Sequence, residues 1–185
     1  YELRYGENPH QKGSFVGEID SIFEKLNGKE LSYNNLLDID SAYNLIKEFW
    51  NNDSTFAILK HNNACGLATR SSILEAYKKA LQGDPISAFG GVLISNKEID
   101  LLSANEINKL FFEVIMAPSY SRDALKILSC KKNRTAIQDY QKVRPKTWLK
   151  YGGTPNADGS YSEFGPDTDP ATPMQLQWVS CIPSW

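Results

Sequence analysis

The sequence predicts a layered α/β fold followed by a loop-rich appendage at the C-terminal end. Two observations lead to this prediction. Short apolar segments alternate with amphipathic segments through residues 1–135, whereas prolines and glycines crowd together after about residue 138. Alternating strands and helices are typical of a sheet covered by helices. The 185 residues, 41% of them hydrophobic, are enough for one such domain with a sizeable core.

The first predicted elements are a helix and a buried strand. The helix begins at Asp40 or Ser41 and ends at Trp50, because apolar residues recur there at helical spacing. The strand occupies residues 55–60, a short apolar run with Asn-Asp-Ser before it and His-Asn-Asn after it. We expect the strand to end at Lys60 or His61.

Two further helices are predicted from capping boxes, in which a Ser and a Glu three residues later satisfy each other's free backbone N–H groups. The pairs are Ser72 with Glu75 and Ser103 with Glu106. Buried strands are predicted at residues 91–95 and 113–117, and a last capped helix at 121–129.

Charge and hydropathy exclude several classes of function. With 20 basic and 22 acidic residues, the chain lacks the concentrated basic face that nucleic acids and anionic membrane surfaces require. No run approaches the ~20 apolar residues of a membrane span, so we expect a cytoplasmic protein. The three cysteines show no CxxC spacing, which argues for reduced thiols and against a cysteine-based zinc site. Because the first residue is Tyr1 rather than Met, we expect a piece of a longer protein.

The domain is expected to cover residues 1–137 and the appendage residues 138–185, with the boundary between Arg134 and Pro145. The appendage has no hydrophobic period. Its tryptophans can anchor an irregular segment on the domain, because each ring buries a large apolar surface; they are Trp148, Trp178 and Trp185.

A first polar cluster, residues 3–11, has no amphipathic period and contains two groups suited to a ligand. Arg4 offers a planar fork of donors for a phosphate or carboxylate, and Tyr5 a flat ring for a base. The alternative is a solvated terminal segment.

A second cluster, residues 60–66, follows the first buried strand. Ligands of open α/β sheets bind beyond the carboxyl ends of strands, so this location favours a site. His61 can transfer a proton near neutral pH, and Lys60 can stabilise a developing oxyanion. The alternatives are an ordinary polar loop and a catalytic Cys65 activated by His61.

A third cluster, residues 84–91, runs as a turn into the second strand. Its glycines, Gly90 and Gly91, let backbone N–H groups approach a ligand closely. A simple bend or bulge is the alternative interpretation.

Five motifs of the sequence, taken in order, resemble one family. They are residues 4–11, 28–35, 60–66, 84–91 and 113–118. The same order is found in the transformylase half of the bifunctional purine biosynthesis family, which joins a transformylase to an inosine monophosphate cyclohydrolase domain. Within the clusters Ala64 stands where many members of the family have Pro. From Ala136 to Trp185 we find nothing of the family.

The resemblance implies a layered α/β/α subdomain of the cytidine-deaminase-like type, the first of two in the family's transformylase. It also implies formyl transfer from 10-formyltetrahydrofolate to 5-aminoimidazole-4-carboxamide ribonucleotide, with a homodimer in the full-length protein. Lys60 then corresponds to the residue that stabilises the oxyanion and His61 to the proton shuttle. The nucleotide contacts correspond to Arg4, Tyr5, Gly90 and Glu113.

The small-molecule nucleotide and the folate are the implied partners, and no metal is expected. The H-x-E and C-x-x-C ligands of zinc deaminases are missing from this sequence. The alternative function is a truncated, catalytically silent nucleotide-binding module whose tail contacts a partner.

Overall fold

The computed structural model describes residues 2–15 and 19–138, and within them the chain forms six strands and four α-helices. In chain order these are β1 (Glu24–Asn27), α1 (Tyr33–Ile46), β2 (Ser54–Lys60), β3 (Asn63–Arg70), α2 (Ile73–Leu81), β4 (Gly91–Ser95), α3 (Leu101–Ile107), β5 (Phe112–Ala117), α4 (Arg122–Leu128) and β6 (Thr135–Gln138). Short 3-10 turns occupy Ile19–Ser21 and Lys47–Phe49.

The six strands form one mixed sheet in the order β1-β6-β5-β4-β2-β3. Strands β4, β5 and β6 are parallel, while β2 is antiparallel to both β3 and β4, and β1 is antiparallel to β6. Parallel neighbours need crossover connections, and α3 and α4 supply them. The predicted layered α/β fold class is confirmed.

Helices cover the sheet in layers. Residues of α2, α3 and α4 share one apolar cluster with alternate residues of the strands, such as Phe56 and Ile58 of β2. Helix α1 also packs on β2, β4 and β5, but its buried Ile39 and Ala42 lie outside that cluster, so α1 covers the opposite face. The side chains between Thr55 and Leu59 are all buried, as expected for a strand covered on both faces.

Helix α1 begins earlier than predicted. The expected start at Asp40 or Ser41 was wrong, because the N-cap is Ser32. Its hydroxyl accepts from the Asn35 N–H at 3.2 Å, and the Asn35 side chain accepts from the Ser32 N–H at 3.1 Å. This is a capping box with Asn in place of Glu or Gln, a substitution that the search for S-x-x-E does not detect.

Helix α3 also has a different cap from the one predicted. Asp100 is its N-cap and accepts from the Ser103 N–H at 2.7 Å, so the capping box assigned to Ser103 was wrong. Ser103 lies inside the helix and is buried. Helix α2 does begin after Ser72, although the Glu75 carboxylate accepts from the Ser71 hydroxyl at 2.6 Å.

The predicted strands at 55–60, 91–95 and 113–117 are confirmed as β2, β4 and β5, and the helix at 121–129 as α4. Three strands were not predicted: β1, β3 and β6. The sheet therefore continues through Gln138, while the predicted appendage beyond it, with its three tryptophans, lies outside the described residues. In the described part of the chain no helix is long and apolar enough to cross a membrane.

Candidate functional site

The second cluster forms a tight β-hairpin. Strand β2 ends at Lys60, as expected, but residues 63–66 return as strand β3 rather than as a polar loop. Lys60 of β2 pairs with Asn63 of β3 across a two-residue turn made by His61 and Asn62. Both turn residues have left-handed backbones, with φ of 51° and 63°. Such turns match the twist of a hairpin but favour Asn and Gly, so His61 is held in a strained conformation. His61 is exposed to solvent.

Lys60 links this hairpin to the third cluster. Its Nζ donates to the Phe89 carbonyl at 2.7 Å, next to Gly90. The contact takes one of the three donors of the ammonium group. Lys60 is therefore held beside Gly90 with its positive charge close to the turn that enters β4.

The structure requires glycine at both Gly90 and Gly91 of the third cluster, for a different reason at each position. Gly90 has a φ of 74°, which L side chains rarely adopt, and its N–H donates to the Phe111 carbonyl at 2.9 Å. A Cβ at Gly91 would lie 2.6 Å from the Leu59 carbonyl oxygen. The bend proposed for this pair is present, and it brings Phe89 against Phe111 with ring centroids 5.1 Å apart.

Glu113 lies at an irregularity at the start of β5. Gly91 pairs with Phe112 and Val92 with Val114, so Glu113 is an extra residue in the strand. Bulges of this kind redirect a side chain. The Glu113 carboxylate accepts from the Asn35 amide of α1 at 2.8 Å, which places it at the N-terminal end of that helix.

Arg4 and Tyr5 are attached to the same end of α1. The Arg4 N–H donates to the Leu31 carbonyl at 3.1 Å, and the Tyr5 carbonyl accepts from the Tyr33 N–H at 3.2 Å. The guanidinium of Arg4 donates to the Tyr5 hydroxyl at 2.8 Å and lies 4.7 Å from the centre of its ring.

Arg4 and Glu113 line one polar cleft of about 190 Å³. Its wall also includes Asn35, Lys29 and Glu30. The cleft therefore presents cationic, anionic and amide groups together, which suits a polar ligand with a phosphate or hydroxyl groups. Two predicted nucleotide contacts from distant parts of the sequence meet here.

Asp38 was not among the predicted site residues, yet it connects the two sides of the site. Its carboxylate accepts from the Asn62 N–H at 2.7 Å. Burial raises the pKa of the Asp38 carboxyl, and the charge of Glu113 adds to that rise, while hydrogen bonding to Asn62 and the charge of His61 oppose it. The carboxylate is thus within electrostatic reach of both His61 and Glu113. The signal available in the sequence was its position three residues after Asn35, on the same helix face.

Cys65 does not have the surroundings of an activated nucleophile. The residue is half-buried in β3, and burial together with the charge of Asp84 raises the pKa of its thiol, although Lys60 partly opposes the rise. A raised pKa disfavours the reactive thiolate. The alternative of a catalytic Cys65 loses support. Among residues 2–15 and 19–138, no three His, Cys, Asp or Glu side chains are grouped so that they can hold a metal ion.

Comparison with known proteins agrees with the motifs. Residues 1–154 match the model of a family described as AICARFT/IMPCHase bienzyme. The chain belongs to this family. The match continues beyond Ala136, so the expectation that nothing of the family would be found from there to Trp185 was wrong.

Relatives in the bienzyme family are much longer than this chain. It is 61% identical over 145 residues to the bifunctional purine biosynthesis protein PurH of Bacteroides thetaiotaomicron, an alignment that covers 78% of the chain and 28% of the relative. The proteins of the same name from Acetivibrio thermocellus and Petrotoga mobilis are 48% and 50% identical, over 74% and 72% of the chain and 27% of each relative. The chain therefore spans little more than a quarter of these relatives.

Proposed function

We propose that this chain acts in purine biosynthesis as part of a transformylase. The reaction is formyl transfer from 10-formyltetrahydrofolate to the 5-amino group of 5-aminoimidazole-4-carboxamide ribonucleotide. One observation carries the proposal beyond family membership: the hairpin of Lys60 and His61 meets the Phe89–Gly90 turn, and Asp38 links that hairpin to Glu113. Glu113 in turn lines the polar cleft and accepts from Asn35 of α1, the helix that also carries Asp38.

The chemistry requires those two groups. The acceptor amine is conjugated with the imidazole ring and is a weak nucleophile, so a base must remove its proton as it attacks the formyl carbon. We assign this role to His61. The tetrahedral intermediate carries an oxyanion, which the ammonium of Lys60 stabilises. Collapse breaks the bond to N10 of the folate, and N10 takes a proton as tetrahydrofolate leaves.

The nucleotide is bound by the remaining residues. Arg4 pairs with its phosphate, and Tyr5 lies against the base or ribose. The carboxylate of Glu113 accepts from ribose hydroxyls or from the amine, and Gly90 allows a close approach to the backbone. We further propose that the full-length protein is a homodimer, as the family resemblance implies, and that it is cytoplasmic.

A second candidate follows from the length of the match. Because the chain covers 28% of the Bacteroides relative, it can bind the nucleotide without holding the folate well enough to react. In that case it is a catalytically silent nucleotide-binding module when isolated.

Two measurements separate the candidates. Isothermal titration of the chain with the ribonucleotide tests binding, and formation of tetrahydrofolate tests turnover. We expect binding without turnover from the isolated chain. We expect turnover from a fusion in which residues 1–154 replace the matching segment of the Bacteroides relative. A fusion that folds and yet forms no product would refute the transformylase assignment, and turnover by the isolated chain would refute the silent module.

A further inference from the structure

We propose that Asp38 is a positioning residue that holds the His61–Asn62 turn in its left-handed conformation against helix α1. This inference rests on the proposed function, in which His61 transfers the proton. It assigns a role to a residue outside the five motifs that carry the family resemblance.

The turn needs an external support. Two consecutive residues with side chains have positive φ, and each such residue costs free energy relative to glycine. The Asp38 carboxylate supplies the support by accepting the Asn62 N–H at 2.7 Å. The Asn62 amide adds to it when its nitrogen faces α1, because it then donates to Asp38 at 3.0 Å and to the Leu37 carbonyl at 3.3 Å.

Helix α1 contacts both this turn and Glu113. Asn35 and Asp38 are three residues apart and therefore lie on one helix face. Asn35 donates to Glu113 at 2.8 Å, while its own side-chain oxygen caps the helix through Ser32. One rigid element thus sets the spacing between the predicted proton shuttle and a predicted nucleotide contact.

The interaction of Asp38 with the site is also electrostatic. The charges of His61 and Glu113 both act on the Asp38 carboxyl, His61 lowering its pKa and Glu113 raising it. Asp40 is a matched control. It lies on the same helix and burial likewise raises the pKa of its carboxyl, but its side-chain interactions are with Asn44 and Lys47.

The first test is hydrogen exchange of the Asn62 amide in the isolated chain, which needs no activity. Asp38→Ala should accelerate exchange by about tenfold, the equivalent of a lost hydrogen bond to a charged acceptor. Asp38→Asn, which keeps an acceptor oxygen, should stay within about threefold of the parent chain. Asp40→Ala should change nothing at Asn62. Equal acceleration by Asp40→Ala, or none by Asp38→Ala, would overturn the proposal.

The second test measures formyl transfer in the fusion with the Bacteroides relative. Asp38→Ala should lower kcat by roughly tenfold to a hundredfold with little change in the KM of the nucleotide, because the reacting group is misplaced. In an Asn62→Gly background the same change should cost at most about threefold, since glycine adopts the turn without strain. A loss as large in that background would show that Asp38 acts through something other than the turn.

The two proposals fail in distinguishable ways. If the fusion folds and forms no product, the proposed function is wrong, and the exchange experiment still decides whether Asp38 holds the turn. If His61→Ala removes turnover while Asp38→Ala does not, the inference about Asp38 is wrong and the function stands.

Discussion

The cap of α3 offers a direct test of the structure against the sequence pattern. The pattern assigns the cap to Ser103, and the structure assigns it to Asp100. The paired substitutions Asp100→Ala and Ser103→Ala therefore give opposite results under the two assignments. Ser103 lies inside the helix and Asp100 at its N-cap, so only Ser103→Ala also gains helix propensity, which adds to the difference expected from the structure.

The expected changes in the free energy of unfolding follow from the contacts of the Asp100 and Ser103 side chains. The Asp100 carboxylate accepts from the Ser103 N–H at 2.7 Å, and loss of such a cap costs about 1 kcal/mol. The Ser103 hydroxyl is buried and has no hydrogen-bond partner among the described residues. A buried hydroxyl without a partner costs roughly 1–3 kcal/mol in desolvation, so Ser103→Ala should be neutral or stabilise the fold by about 1 kcal/mol.

Urea unfolding of the chain, followed by circular dichroism, measures both free energies. We expect the two variants to differ by roughly 1–2 kcal/mol, with Asp100→Ala the less stable. In thermal melts this corresponds to a few degrees in Tm. A loss of about 1 kcal/mol in Ser103→Ala with none in Asp100→Ala would refute the structural assignment and restore the capping box at Ser103.

The other predictions concern the site and its helix. In the fusion with the Bacteroides relative, Lys60→Ala and His61→Ala should each lower formyl-transfer turnover on the order of 10²-fold without changing the melting curve, and near-normal turnover would return either residue to a structural role. Gly90→Ala should destabilise the chain by about 1–2 kcal/mol in urea, because its φ of 74° disfavours a Cβ, and an unchanged midpoint would contradict this. Asp40→Asn should gain stability relative to the parent chain as pH rises above the ordinary carboxyl pKa of 3.8. The reason is that burial raises the pKa of the Asp40 carboxyl in the folded state. As pH rises from 3.8 to that higher folded pKa, the folded carboxyl is forced to ionise and the parent chain loses stability, whereas the Asn variant does not. Unfolding free energies in urea that change with pH in the same way for both proteins would contradict this prediction.

The elements that were predicted correctly are those whose local pattern agrees with their tertiary environment. Strand β2 is an apolar run buried along its centre, and Ser121 caps α4 as its position suggests. Strand β3 was missed because it contains small and polar residues and is only partly buried, so no period marks it. Its Gly66 lies against the Ala80 carbonyl of α2, a tertiary contact that explains the glycine and leaves no signal in the local sequence.

The misplaced start of α1 has a different cause, and it bears on the site. The helical spacing of apolar residues is clear only from Asp40 onward, because Asn34, Asn35 and Asp38 interrupt the apolar pattern before it. In the structure Asn35 caps the helix and binds Glu113, while Asp38 binds the turn at Asn62. Asn35 and Asp38 are turned toward other parts of the protein, so a pattern based on burial of apolar side chains excludes them.

The same reasoning explains why the site could be predicted only in part. Lys60, His61 and Glu113 carry reactive or charged groups within motifs, so sequence and resemblance were enough to select them. Asp38 has no distinctive local pattern, and its proposed role depends on a hairpin more than twenty residues away that turns back onto α1. If the proposed function is correct, residues that orient the reacting groups lie in the first two turns of α1, where polar side chains interrupt the apolar pattern. Mutations of these polar residues should then change the rate of formyl transfer more than the free energy of unfolding.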